Sequence, residues 1–294
     1  KTMKLFLAGA DVAEHIEIIR ISDHPYFLTS YYSHRKKFTS KWIKEYNKSK
    51  KGSWIMDSGL FTMMFGAGSG KEYKEEDLTE YTHKYINDLK TIKYDHYIVE
   101  MDVHKIFGLE SLKRFRYIFK QKYDIDKTIY VWHIEEGEQG FEKLCKTYPY
   151  IAISIPELRI VLKGKNNLEK MVKKLILLAN KINPNIKIHL LGCTQQNLME
   201  QKGYYSCDST SWMSGARYGT SSFFNGSKLQ QLHIRSEVWL NYQETKRNDF
   251  ESNIKVTKNR DYFFNMYCNA KAYHYLNQHI NNKYYNYEQI KSIL

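Results

Sequence analysis

Lys187-Ile-His-Leu-Leu191-Gly192-Cys193-Thr-Gln-Gln-Asn-Leu198-Met-Glu-Gln-Lys-Gly203-Tyr-Tyr-Ser-Cys207-Asp208-Ser-Thr210 is the stretch on which the fold turns. Its first five residues read as a short strand, with Ile188, Leu190 and Leu191 apolar. Gly192 allows a sharp turn, Gln195–Gln201 has helical spacing, and Gly203 ends that helix. Tyr204–Cys207 then reads as a second strand. One strand, one helix and a next strand in 21 residues is a βα unit, and such units repeat only in parallel α/β folds.

Working outward, further strands are expected at Lys4–Ala8, Tyr26–Ser30, Ser53–Met56, Tyr97–Met101, Thr128–Trp132 and Tyr150–Ser154. Helices are expected from Asp77 to Ile92, Ser111 to Lys122, Phe141 to Thr147 and Asn167 to Ile182. The last carries Leu168, Met171, Val172, Leu175 and Leu178 at helical spacing and stops before Pro184. Eight alternations favour a closed (β/α)₈ TIM-type barrel over an open doubly wound sheet. Residues 1–225 are expected to form that barrel. Residues 226–294, with helices over Leu229–Glu244 and Asn259–Asn281, are expected to form a C-terminal helical extension packed on it.

At 294 residues with 42% hydrophobic and 15% aromatic residues, the chain can bury a full core and is not a disordered polymer. The four prolines form no linker, and no internal repeat is evident. A net charge of +13 raises the local concentration of polyanions and points to nucleic acid, although drift toward Lys, Asn and Tyr gives the same balance. Cys145, Cys193, Cys207 and Cys268 are far apart, which argues against a disulfide framework and fits a reducing cytosol. No apolar run approaches the roughly 18 residues of a membrane span, and the apolar run near the N-terminus is short for a signal peptide. A cytoplasmic protein is expected.

In a barrel, chemistry gathers at the carboxyl ends of the strands. That rule selects Asp57-Ser58-Gly59, then Glu100, Asp102 and His104, then His133 and Glu135. It also selects Ser154 with Glu157, Gly192-Cys193, and Asp208-Ser209-Thr210. An isolated Asp at a strand end is often a helix cap or turn former, and His133 reads equally as a structural histidine. Three aspartates at one rim, Asp57, Asp102 and Asp208, argue for chemistry. Gly66-Ala-Gly68-Ser-Gly70-Lys71 lacks the Walker spacing and reads as a lid. Cys268, His274 and His279 are a thin zinc candidate lacking a further ligand, and no metal or other cofactor is expected.

These motifs resemble those of the tRNA-guanine transglycosylase superfamily. Trp54-Ile-Met-Asp57-Ser58-Gly59-Leu-Phe61 is similar to its Asp-Ser-Gly-Gly-Phe/Tyr element, Leu190-Leu-Gly192 to its strand-seven turn, and Cys207-Asp208-Ser209 to its Phe-Asp-Cys/Ser element. The likeness is nearest to the DpdA-type DNA deazaguanine transglycosylases of phages and bacteria, with their Asp-Ser-Thr-Ser-Trp form, and spans about residues 1–220. The resemblance implies Asp208 as nucleophile, Asp57 as general acid/base and Asp102 as reader of the purine edge. It implies a base pocket lined by Ser58, Gly59, Gly192, Cys193 and His133. Phe61, Trp212, Tyr31 and Tyr32 are then candidates to stack on the base, with core packing as the alternative.

The implied activity replaces guanine in DNA with a free 7-deazaguanine such as preQ0, in a host cytoplasm if the chain is phage-encoded. Ile153-Ser-Ile-Pro156-Glu157 departs from the family's strand-six turn, and the zinc-binding cysteines of the tRNA enzymes are missing. Exchange on tRNA, hydrolysis of a nucleoside, and a catalytically silent nucleic-acid-binding barrel are the alternatives.

Overall fold

The computed structural model describes residues 2–36, 52–65, 72–193, 195–254 and 258–284, the side chains of 65, 216 and 217 excepted. Eight parallel strands close into a barrel in sequence order. They are β1 (Lys4–Ala8), β2 (Tyr26–Ser30), β3 (Ser53–Asp57), β4 (His96–Val99), β5 (Thr128–Trp132), β6 (Tyr150–Ser154), β7 (Lys187–Leu191) and β8 (Ser206–Ser209). Closure comes from β1, which pairs Leu7 with Phe27 of β2 and Leu5 with Cys207 of β8. The chain is a (β/α)₈ TIM-type barrel.

Each strand divides its side chains between two apolar layers. Phe6, Ala8, Leu28, Ile55, Val99, Ile129, Val131 and Ala152 form one cluster that fills the barrel interior. The alternate residues, among them Leu5, Leu7, Phe27, Trp54, Ile98, Tyr130 and Ile151, pack outward against the helices. Period-2 alternation therefore also decides which polar residues face inward at the strand ends. Ile55 precedes Asp57 by two, Val131 precedes His133, and Ser206 precedes Asp208.

The long helix Lys165–Ile182 buries Leu168, Val172, Leu175, Ile176 and Ala179, one stripe at 3.6-residue spacing. Truncating a residue of that stripe such as Leu168 to alanine costs about 2–5 kcal/mol. The helix Glu75–Lys90 begins with three acidic residues, and the Asp77 carboxylate accepts a bond from the Lys74 amide at 2.9 Å. The stretch His104–Lys122 is broken at Gly108, whose φ of 81° separates a first turn holding His104 from the helix expected from Ser111.

The end of the chain differs from expectation. The helix expected over Leu229–Glu244 starts only at Glu237, because Leu229–His233 pairs antiparallel with Thr220–Phe224. The final helix, Arg260–Tyr284, packs on the helices Ala13–Ile21 and Ser211–Arg217 and so fills the helical layer between β8 and β1. Its asparagines fasten it to the backbone. The Asn277 side-chain oxygen accepts from the Leu5 amide at 3.1 Å, Asn281 bonds both the amide and the carbonyl of Met3, and Asn269 donates to the Trp212 carbonyl.

Candidate active site

At the carboxyl ends of the strands, Asp208 is held most firmly. It ends its inward row on β8 and is 6% exposed. Its Oδ1 accepts from the Gly192 amide at 2.8 Å and from His189 Nε2 at 3.0 Å, while Oδ2 takes no hydrogen bond among the described residues. Gly192 can present that amide because it adopts φ of 63°, and a Cβ there would meet Pro156 Cγ at 2.9 Å.

Behind Asp208 lies a buried relay. His189 Nδ1 is 2.7 Å from Ser206 Oγ, which is 2.5 Å from the Tyr150 hydroxyl. An ionised Asp208 needs the proton on Nε2, so Nδ1 accepts from Ser206 and Ser206 from Tyr150. Every donor in the chain then points toward the carboxylate. His189 was not among the residues singled out from sequence. Its signal is its parity, an inward position two residues below the Leu191 strand end.

Asp57 has a different environment. Its Oδ2 accepts from the Gly59 amide at 3.0 Å. Burial, with the charge of Asp102 next and smaller contributions from Asp208 and Asp11, pushes its carboxyl up to about 7 against that hydrogen bond. Gly59 has φ of 76°, and a Cβ there would lie 2.3 Å from Ser30 Oγ. Ser58 is buried in the same turn, its hydroxyl beside the Leu60 amide and its carbonyl accepting from the Tyr81 hydroxyl.

The third aspartate leads to a cluster on the neighbouring strand ends. Asp102 Oδ1 is 3.5 Å from His133 Nε2, and His133 Nδ1 is 3.4 Å from Glu157 Oε2. His104 stacks on His133 with ring centroids 3.5 Å apart, its Nε2 3.5 Å from Glu157 Oε1. Burial opposes a charge on His133, but Asp102 and Glu157 outweigh it and raise the imidazole to about 10. Burial likewise opposes a charge on Glu157, and the two histidines overcome it and hold this carboxyl well below its ordinary value. Among the described residues, the donors grouped closely enough to hold a metal ion are those of His104, His133 and Glu157. Cys268 is buried outside that group.

Several expected contact residues lie elsewhere. Trp212 is fully buried, and its indole N–H donates to the Ala8 carbonyl at 2.8 Å, so it packs the core and offers no stacking face. Tyr31 is equally buried, its hydroxyl donating to Asp88 at 2.5 Å. Cys193 is buried with its thiol toward the Gln195 carbonyl and pushed up to about 12 by burial. Glu100 is buried against Arg116, which also pairs with Glu136. Phe61, by contrast, is 76% exposed beyond β3, and Tyr32 is half-buried with Arg35 over its ring. The segment Gly66–Lys71 read as a lid lies outside the described residues.

No family model matches the chain, and no curated protein matches it. Among solved structures, one described as "QR15, an Aldolase" is similar at 13% identity and a TM-score of 0.40. The match covers 71% of this chain and 89% of that one. Among the described residues, no helix is long and apolar enough to cross a membrane.

Proposed function

We propose that the chain is a base-exchange transglycosylase that replaces guanine in DNA with a free 7-deazaguanine through a covalent intermediate on Asp208. The observation that carries this reading is the contrast in surroundings of two carboxylates at one barrel mouth. Asp208 is surrounded by donors suited to an anion, while Asp57 is held near a neutral-pH proton equilibrium. The resemblance of the Asp57-Ser58-Gly59 and Cys207-Asp208-Ser209 elements supplies the substrate class.

In the first half-reaction Asp208 Oδ2 attacks C1′ of the deoxyribose as the bond to guanine breaks through an oxocarbenium-like state. Protonated Asp57 gives its proton to the departing guanine. In the second half the incoming deazaguanine passes its ring N–H proton to Asp57, its nitrogen attacks C1′, and the bond to Asp208 breaks. Asp102 accepts from the N1–H and exocyclic amine of the base. The target nucleotide must leave the stack to reach the mouth, and exposed Phe61 gives it a surface to stack on. The net charge of +13 favours a polyanionic partner.

The test is incubation with radiolabelled 7-deazaguanine and either duplex DNA or tRNA. Label is expected in DNA, with a denaturation-resistant protein–DNA adduct that Asp208→Asn abolishes. Label confined to tRNA would move the substrate to the other polymer. Incorporation unchanged in Asp208→Asn would remove the nucleophile.

A further inference from the structure

His104, His133 and Glu157 reach the rim from three successive strand–helix connections, after β4, β5 and β6. Their nearest donor atoms all lie within 4.8 Å of one another. The gaps from Glu157 to His104 and His133, 3.5 and 3.4 Å, exceed the roughly 2.7–2.9 Å of a charge-assisted hydrogen bond.

A second observation points to a ligand. Both ring nitrogens of His104, Nε2 of His133 and Oδ1 of Asp102 are buried with no hydrogen-bond partner among the described residues. The two histidines are 8% and 1% exposed, too deep for solvent to satisfy them freely. A buried polar atom left unpaired costs on the order of 1–3 kcal/mol, and several cluster around this one point.

We propose that His104, His133 and Glu157 bind a divalent transition-metal ion of the zinc type, with one coordination position left to water or substrate. Two imidazoles and a carboxylate suit zinc, cobalt, iron or manganese better than calcium or magnesium. Ligation through Nδ1 leaves the His133 Nε2–H directed at Asp102 Oδ1. That carboxylate–histidine–metal arrangement fixes the tautomer, and His104 Nε2 gains the ion as its partner. It also keeps Asp102 a hydrogen-bond acceptor. Glu135 Oε2, 3.8 Å from His104 Nε2, is the next carboxylate outward. The half-exposed Lys105 ammonium now sits on Glu135 at 2.6 Å and 3.9 Å from Glu157, so it competes with the ion. The site stands independently of the transglycosylase reading, because its test reads metal and not base exchange.

The experiment uses the untagged full chain, stripped of metal, titrated with Zn²⁺ by calorimetry and with Co²⁺ by absorption spectroscopy. One ion per chain is expected, with a cobalt spectrum lacking a sulfur charge-transfer band. Glu157→Gln and His104→Gln should each weaken binding at least about tenfold. Lys105→Met should tighten it, a gain that misfolding cannot mimic. Absence of stoichiometric uptake, unchanged affinity in folded Glu157→Gln, or a sulfur-to-cobalt band would overturn the proposal.

Discussion

At the amino-terminal end of the barrel, Lys4 Nζ lies 5.0 to 5.8 Å from the ring centres of Tyr26, Tyr97 and Tyr205, and Lys187 lies 5.3 to 5.7 Å from those of Tyr97, Tyr150 and Tyr205. At the carboxyl-terminal end, Asp57, Asp102 and Asp208 share one mouth. The lower end compensates its charges internally. Burial alone would raise the Tyr205 phenol, yet Lys4, the Tyr97 hydroxyl and Lys187 outweigh it and hold it below its ordinary value. At the upper end burial first, and the charge of Asp102 after it, push Asp57 up. The difference teaches where the fold is finished and where it waits for a partner.

The largest expected break in this contrast is Asp208→Asn. The amide keeps an oxygen for the Gly192 and His189 donors, so the melting temperature should stay within a few degrees. The rate of adduct formation should fall on the order of 10⁴-fold. A comparable fall in thermal stability would mean that Asp208 is structural. Next is His189→Leu, which leaves Asp208 Oδ1 with one donor and strands the Ser206 hydroxyl. Losing about 2 kcal/mol of support for the carboxylate corresponds to roughly 30-fold slower adduct formation. His189 is a positioning residue, so KM for the free base should not change. Stopped-flow quench and steady-state kinetics separate the two readings.

The barrel itself was legible because apolar runs such as Thr128–Trp132 and Tyr150–Ser154 admit few other readings. The aspartates were legible because strand ends are where barrels work. His189 was missed because it lies mid-strand, where polarity reads as noise until the inward parity is known. Trp212 was a candidate to stack on the base with core packing as the alternative, and it lies in the core, where Ala8 supplies an acceptor. The strand Leu229–His233 was read as the start of a helix running from Leu229 to Glu244. Asn225-Gly226 just before it is a hairpin signal that outweighs that reading. Glu157 was selected from its place beyond the sixth strand, but its pairing with His104 and His133 is a tertiary fact with no local trace.

A third way to sharpen the contrast uses pH. Asp57 rises from its ordinary value near 3.8 to about 7 in the folded protein. In the proposed reaction adduct formation uses its proton, so that rate should fall tenfold per pH unit above about 7, and Asp57→Asn should abolish this limb. The sign for stability follows from proton uptake. Between about 4 and 7 the folded chain binds the proton more tightly than the unfolded one, so stability is greatest below the unfolded value and is lost as pH rises through about 7. Asp57→Asn removes that loss and should stabilise the chain at pH 8 by on the order of 2 kcal/mol, with solvent at the partly exposed carboxylate limiting the gain. Urea melts at pH 5 and 8 measure it, and equal differences at both would remove Asp57 from the titration.

The smallest effect is expected at the lower end, and it tests whether the two ends are independent. Lys187→Met keeps the aliphatic stem and removes the ammonium above Tyr97, Tyr150 and Tyr205. Cation–π contacts of this kind contribute about 0.5–2 kcal/mol, so stability should fall by about 1 kcal/mol. Tyr150 also donates to Ser206, whose hydroxyl serves His189 and through it Asp208. Lys187 and Asp208 are thus joined by one continuous path through the barrel axis. If the Tyr150–Ser206 bond is set by packing, as the complete burial of Tyr150 argues, the variant should form adduct at the wild-type rate. A slower rate without further loss of stability would mean that the lysine charge reaches Asp208 along the relay, and that the two ends are one electrostatic system.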